Sequence, residues 1–138
     1  MPQVMIVTLE KDLPEAWAAY SKTKSGKALA RETDRIDGAA RRRSVTALTA
    51  LLSENPAVLA AQMQSEGFDP TKMRLPAEQW FAASDGLKTV RALIEHITAN
   101  LNDFKLPNPI LKDLKAVEAL LANAETAGVR FHMTKATV

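Results

Sequence analysis

Seven basic side chains between positions 24 and 43 are the residues whose type and spacing best suit a chemical task. Lys24, Lys27, Arg31 and Arg35 fall at steps of three and four, so on a helix they share a face, and Arg41, Arg42 and Arg43 follow. Such a stripe can neutralise phosphates and gives salt-dependent affinity for nucleic acid. From Lys22 to Arg43 eight bases face three acids, Glu32, Asp34 and Asp37, a local excess of +5 in a chain whose net charge is +2. The same acids interrupt the stripe, and no nucleic-acid motif surrounds it. A solvated helix face is therefore the first expectation for these seven residues. A nucleic-acid or other anion contact is the second, and an acidic protein partner the third.

The remaining chemistry is sparse. There are two histidines, His96 and His132, and no cysteine. A zinc site needs three or four protein ligands, and neither histidine stands in a ligand spacing, so no metal or other cofactor is implied. On a helix His96 falls well away from the apolar stripe around it and is expected to face solvent. Asp34 with Asp37, and Glu78 with Asp85, could pair for acid–base work only if they converged across a cleft. Their polar surroundings predict solvated carboxylates instead. Nucleophile-elbow, phosphate-loop and dinucleotide glycine patterns are all missing. Trp17, Tyr20, Trp80 and Phe81 could stack on a ring, but in a chain this size aromatic side chains are expected in the core.

Punctuation and periodicity indicate the elements that would position these groups. Gln3 to Leu9, QVMIVTL, is short, apolar and partly β-branched, which predicts a buried strand. Pro14 can open a short helix bearing Trp17 and Tyr20. Ser25 is placed to cap a helix running to about Arg42, with Leu29, Ile36 and Ala40 as a thin apolar stripe and Gly38 as its weak point. Residues 44–53 fit a strand or a helical turn equally well. Asn55-Pro56 starts a helix carrying Val58, Leu59 and Met63, which Gly67 stops. A connector follows, broken by Pro70 and Pro76, whose Trp80 and Phe81 should pack on the body. Ser84 caps a strong helix with Leu87, Val90, Ile94, Ile97 and Leu101 on one face. Asn108-Pro109 opens the last helix, with Ile110, Leu111, Leu114, Val117, Leu121 and Ala124 on its apolar side and Gly128 at its end. From Val129 the chain alternates as a half-buried strand should.

The length suits one domain spanning residues 1–138, and 46% hydrophobic with 25% charged residues is an ordinary globular composition. Two lone strands must satisfy their backbone groups. The economical fold is therefore α+β and mainly α, with four to five helices packed on a small sheet made by the N- and C-terminal strands. No apolar run approaches a membrane span. The opening residues lack the basic-then-apolar order of an export signal, so the cytoplasm is the expected setting.

The C-terminal half also carries a resemblance. Its residues are Leu75-Pro76-Ala77-Glu78-Gln79-Trp80-Phe81, then Asp85-Gly86-Leu87-Lys88-Thr89-Val90-Arg91-Ala92-Leu93-Ile94. They continue through Leu111-Lys112-Asp113-Leu114 and Val117-Glu118-Ala119-Leu120-Leu121 to Ala127-Gly128-Val129-Arg130-Phe131-His132. Over about residues 75–133 the chain resembles a group of small bacterial cytosolic proteins of unknown function. The N-terminal half, its basic segment above all, departs from that pattern. The resemblance implies a bacterial setting and supports the fold, and it brings no activity.

With no convergent catalytic set to assemble, the leading expectation is a non-enzymatic interaction or structural domain, with a protein partner or self-association. A nucleic-acid-binding module using residues 24–43 ranks second, and a small hydrolase built from scattered carboxylates and histidine third.

Overall fold

In the computed structural model, which describes residues 3–53, 56–72 and 77–137, the two ends of the chain lie side by side. Strand β1 (Gln3–Leu9) pairs antiparallel with β2 (Phe131–Thr137) in the register Val7 opposite Met133 and Leu9 opposite Phe131. Opposed residues of an antiparallel pair share a face. Met5, Val7, Phe131 and Met133 thus form one fully buried inner face. The alternation in both segments is the cause, since a shift of one residue would turn this set outward.

Six α-helices lie between the two strands in sequence among the described residues: α1 (Pro14–Lys22), α2 (Lys27–Arg31), α3 (Thr33–Arg42), α4 (Pro56–Ser65), α5 (Ala83–Ala99) and α6 (Pro107–Ala127). The fold is α+β and mainly α, as the patterning predicts. Helices α5 and α6 pack against each other through Leu87, Val90, Leu93 and Ile97 on one side and Ile110, Leu114, Val117 and Leu121 on the other, all buried. Burying a leucine-sized side chain is worth about 1.5–3 kcal/mol, so this seam is a large part of the core. Pro14 does stand at the start of α1, and Gly128, with φ of 69°, terminates α6.

Several expected boundaries shift by one or two residues, and one expected helix is divided. The helix placed from Ser25 to Arg42 is two helices, broken at Glu32 rather than weakened at Gly38. Gly26, not Ser25, occupies the cap position. Its φ is 118°, and a Cβ there would lie 2.6 Å from the Met5 carbonyl oxygen. Only glycine tolerates both. The close approach lets Met5 N–H donate to Gly26 O at 3.0 Å, which covers the free edge of β1. Helix α5 begins at Ala83 without a side-chain cap from Ser84, and it ends before Leu101, which is 45% exposed in a following 3-10 turn. Helix α6 starts at Pro107, one residue before Asn108.

Residues 44–53 form a 3-10 turn at Leu48–Leu51, after which Ser53 N–H donates to Met133 O at 3.0 Å. Phe81 exchanges two backbone bonds with Phe131, of 2.8 and 2.9 Å. The outer edge of β2 is therefore covered from two places. Helix α4 starts at Pro56 and stops at Gly67, as expected; the proposed cap Asn55 lies outside the described residues. It buries none of its side chains, and Val58 is 46% exposed, so this helix adds little to the core. No helix among the described residues is long and apolar enough to cross a membrane.

Candidate functional site

The outer face of the sheet carries Val4, Ile6 and Thr8 from β1 and His132 and Thr134 from β2. Two segments flank it. On one side α1 follows β1 closely because its Tyr20 hydroxyl accepts the Val7 N–H at 3.2 Å. On the other, Trp80 lies with its ring 4.7 Å from that of His132. Burial lifts the Tyr20 hydroxyl to a pKa of about 12, so it stays protonated at neutral pH and well into the alkaline range.

A groove runs along β1 beside α1, and Trp17, at 39% exposed, stands over its middle. One half, a cavity of about 530 Å³, is walled by Ile6, Thr8, Leu9, Leu13, Pro14 and Trp17, with Lys11 and Asp12 at its end. The other half, about 450 Å³, is walled by Val4, Ile6, Trp17 and Tyr20, with Lys24 and Lys27 at its end. Both halves fall within the size range of small-molecule sites. Ile6 and Trp17 line both, so the two halves meet there.

Beside the groove lies a chain of polar contacts. Glu78 Oε2 is 2.8 Å from His132 Nε2, which donates to it. His132 Nδ1 lies 3.1 Å from Met133 O and 3.2 Å from Thr134 Oγ1. The Thr134 hydroxyl is 2.8 Å from that of Thr8, which lines the groove. Carboxylate, imidazole and hydroxyl in this order are also the parts of a hydrolytic triad. The ring, however, is 1% exposed and sealed under Trp80, and both its nitrogens are engaged by protein atoms. The arrangement clamps residues 78–81 onto the sheet. Glu78 thus meets His132 rather than Asp85, and it is partly buried rather than solvated.

The basic segment is dispersed. Because the chain turns at Gly26 and again at Glu32, the four residues Lys24, Lys27, Arg31 and Arg35 do not share one helix face; only Lys27 and Arg31 stand together, one turn apart on α2. Lys24 and Lys27 stand at the groove. Arg35 and Arg42 line a different cavity, of about 270 Å³, together with His96, Asp103 and Phe104. There Arg35 donates to Asp103 O at 3.2 Å and Arg42 lies 3.8 Å from the Asp103 carboxylate. Arg35 also lies 3.7 Å from the Glu32 carboxylate. Arg43 donates to His96 Nδ1 at 3.1 Å and lies 3.7 Å from Glu95. Arg31 and Arg41 are exposed, and among the described residues neither makes an ion pair.

His96 is therefore not solvent-facing but 7% exposed. Helix α3 packs on a second side of α5, which a single-helix projection does not anticipate. Asp37 departs from expectation because α3 also packs against the 3-10 turn at Leu48–Leu51. One of its oxygens accepts the Thr49 hydroxyl at 2.7 Å, and the other is buried without a partner among the described residues. Asp34 is exposed, as expected.

Sequence reasoning missed Asp113 altogether. Its carboxylate, 6% exposed on α6, accepts the N–H groups of Ala28 and Leu29 at the start of α2. It also missed the pairing of Glu10 with Arg130 across the end of the sheet, where Arg130 Nε donates to Glu10 Oε1 at 3.1 Å. The bond to Arg130 holds the Glu10 carboxyl below its ordinary pKa. An acid within an apolar stripe, as Asp113 is between Ile110 and Val117, is the signal that would have found the first. Comparison with known proteins names no kin: no family model matches the chain, and neither a curated protein nor a solved structure matches it.

Proposed function

We propose that this chain is a non-catalytic binding domain that takes its partner in the groove along β1 and α1. The observation that carries this reading is the pairing of a concave apolar floor, Val4, Ile6 and Leu9, with an exposed tryptophan standing over it. An indole left 39% exposed forgoes part of the stabilisation that burial would bring. Apolar concavities with a few polar groups at their ends are the usual form of small-molecule sites.

The dispersal of the arginines favours this reading over the nucleic-acid one. Arg35, Arg42 and Arg43 are held by acids or by His96, and a duplex would have to displace those partners. The sealed imidazole of His132 weighs against the hydrolase reading in the same way.

Amide chemical-shift mapping with a mixed fragment set tests the proposal. Binders should shift Val4, Ile6, Thr8 and the Trp17 indole together. Fragments that cluster elsewhere, or a groove that no fragment occupies, would remove the reading.

A further inference from the structure

The two ends of the groove differ in charge, and that difference specifies a ligand. At one end Lys11 is accompanied by Asp12 in the same wall, so the charges offset each other. At the other end Lys24 and Lys27 line the wall, and among the described residues no acid lines it with them. Among the described residues neither lysine makes an ion pair. The nearby acid Asp113 is buried and committed to the N–H groups of Ala28 and Leu29, and it does not line the groove.

Lys24 holds its place at some cost. Its φ is 50°, in the left-handed region just past the end of α1, where glycine or asparagine is usual. A lysine there brings its Cβ close to the following carbonyl oxygen. The local turn is fixed by Lys24 N–H donating to Ser21 O at 3.2 Å and by the Thr23 hydroxyl donating to Tyr20 O at 2.6 Å. The Lys24 side chain is thereby carried to the end of the groove, where it forms part of the wall.

Between the two ends the floor is elongated and mainly apolar, and the Thr8 hydroxyl within it is engaged by Thr134. A strand rises about 3.4 Å per residue, so Val4 to Leu9 spans about 17 Å. That length suits an extended alkyl chain, and Trp17 gives it an aromatic wall. We infer that the groove binds a free, single-chain amphipathic carboxylate, its head group between Lys24 and Lys27 and its chain along Ile6 and Trp17 toward Leu9. The inference rests on the groove being the binding site and adds the class of ligand and its direction. A free molecule is favoured over a lipid surface because the apolar atoms line a concavity beside α1 rather than a projecting face.

The test uses the full chain and three probes of one chain length: dodecanoate, dodecanol and dodecylammonium. Binding is followed by calorimetry below the concentrations at which the probes form micelles, and by the fluorescence of Trp17 in a Trp80→Phe background. Dodecanoate should bind most tightly. Lys24→Met with Lys27→Met keeps the apolar stems and the same backbone demands, and should weaken dodecanoate about tenfold while leaving dodecanol unchanged. Ile6→Glu should abolish binding of both.

If dodecanol matches dodecanoate and the lysine pair has no effect, the anion inference fails and the groove reading survives. If none of the three binds, this ligand class is wrong, and the fragment mapping then decides the groove. Binding to anionic vesicles or to an acidic amphipathic peptide without binding to monomeric dodecanoate would also overturn the inference.

Discussion

The carboxylate of Asp113 accepts the backbone N–H of Ala28 at 3.1 Å, across 85 positions of sequence. Helix α2 has five residues and no side-chain cap of its own, so an acid from α6 supplies the acceptor that its first turn lacks. Negative charge at a helix start is favourable as well. Through this bond α6 holds α2, and α2 in turn holds the edge of β1 through Gly26 and Met5. Asp113→Ala should cost about 2–3 kcal/mol, because two buried N–H groups lose their acceptor. Asp113→Asn keeps an acceptor and should cost less than half of that. Denaturant unfolding of both variants measures the difference, and equal costs would show that the hydrogen bonds to α2 are not what matters.

Two helical glycines should respond to alanine in opposite directions. A Cβ at Gly86 of α5 would lie 2.4 Å from the Phe131 ring and 2.8 Å from Leu121, both fully buried. Gly86→Ala should therefore lose about 1–3 kcal/mol to overpacking, more than the helix preference for alanine returns. At Gly38 of α3 the nearest atom to a new Cβ is an Arg41 side-chain nitrogen at 3.9 Å, an ordinary contact. Gly38→Ala should stabilise by about 0.5–1 kcal/mol. Thermal unfolding of the two variants checks both signs. An undiminished melting temperature for Gly86→Ala would contradict the close approach of α5 to β2.

Tyr20 makes stability fall in alkali. It is the one tyrosine of the chain, and desolvation lifts its pKa from 10.0 to about 12. Between those values the unfolded chain has lost the phenolic proton and the folded chain has kept it. The folded state then binds more protons, so stability decreases as pH rises. The contribution is complete below pH 10 and is lost by about pH 12, amounting to roughly 2–3 kcal/mol in all. Tyr20→Phe should remove this part of the alkaline slope while costing about 1 kcal/mol at neutral pH through the unpaired Val7 N–H. Ultraviolet titration of the native protein reads the same event directly, and a phenol titrating like free tyrosine would contradict the burial.

Removing residues 129–138 should abolish cooperative folding. β2 provides the strand partner of β1, and with it go the buried Phe131 and Met133 and the acceptors used by Ser53 and Phe81. Calorimetry of the shortened chain checks this; a transition like that of the full-length protein would mean that β1 is held by the helices alone. A milder variant, Glu78→Ala, should keep the fold but free residues 78–81 from His132, visible as a change in Trp80 emission.

What can be read from the residues in order is what depends on neighbours in order. Pro14, Pro56 and Gly128 act through their own backbone restrictions, so their helix ends are legible. The alternation of QVMIVTL and of the C-terminal segment determines which side chains can share a buried face, and pairing the two ends follows from the demand of unpaired strands for partners. The stripes of α5 and α6 are legible for the same local reason, except that α5 fully buries Leu93 where the spacing predicts Ile94 and ends before Leu101. Only the tertiary structure decides the rest. The basic stripe exists only on a single continuous helix, but the chain breaks at Glu32 and turns at Gly26, where the Met5 carbonyl oxygen passes too close for a side chain. His96 is off the main stripe of its helix yet buried, because α3 covers a second side of α5. The Asp113 cap, the Glu78–His132 contact and the groove under Trp17 all join residues from different elements of the chain. Their geometry is set by how whole elements pack, and periodicity within one element carries no information about that.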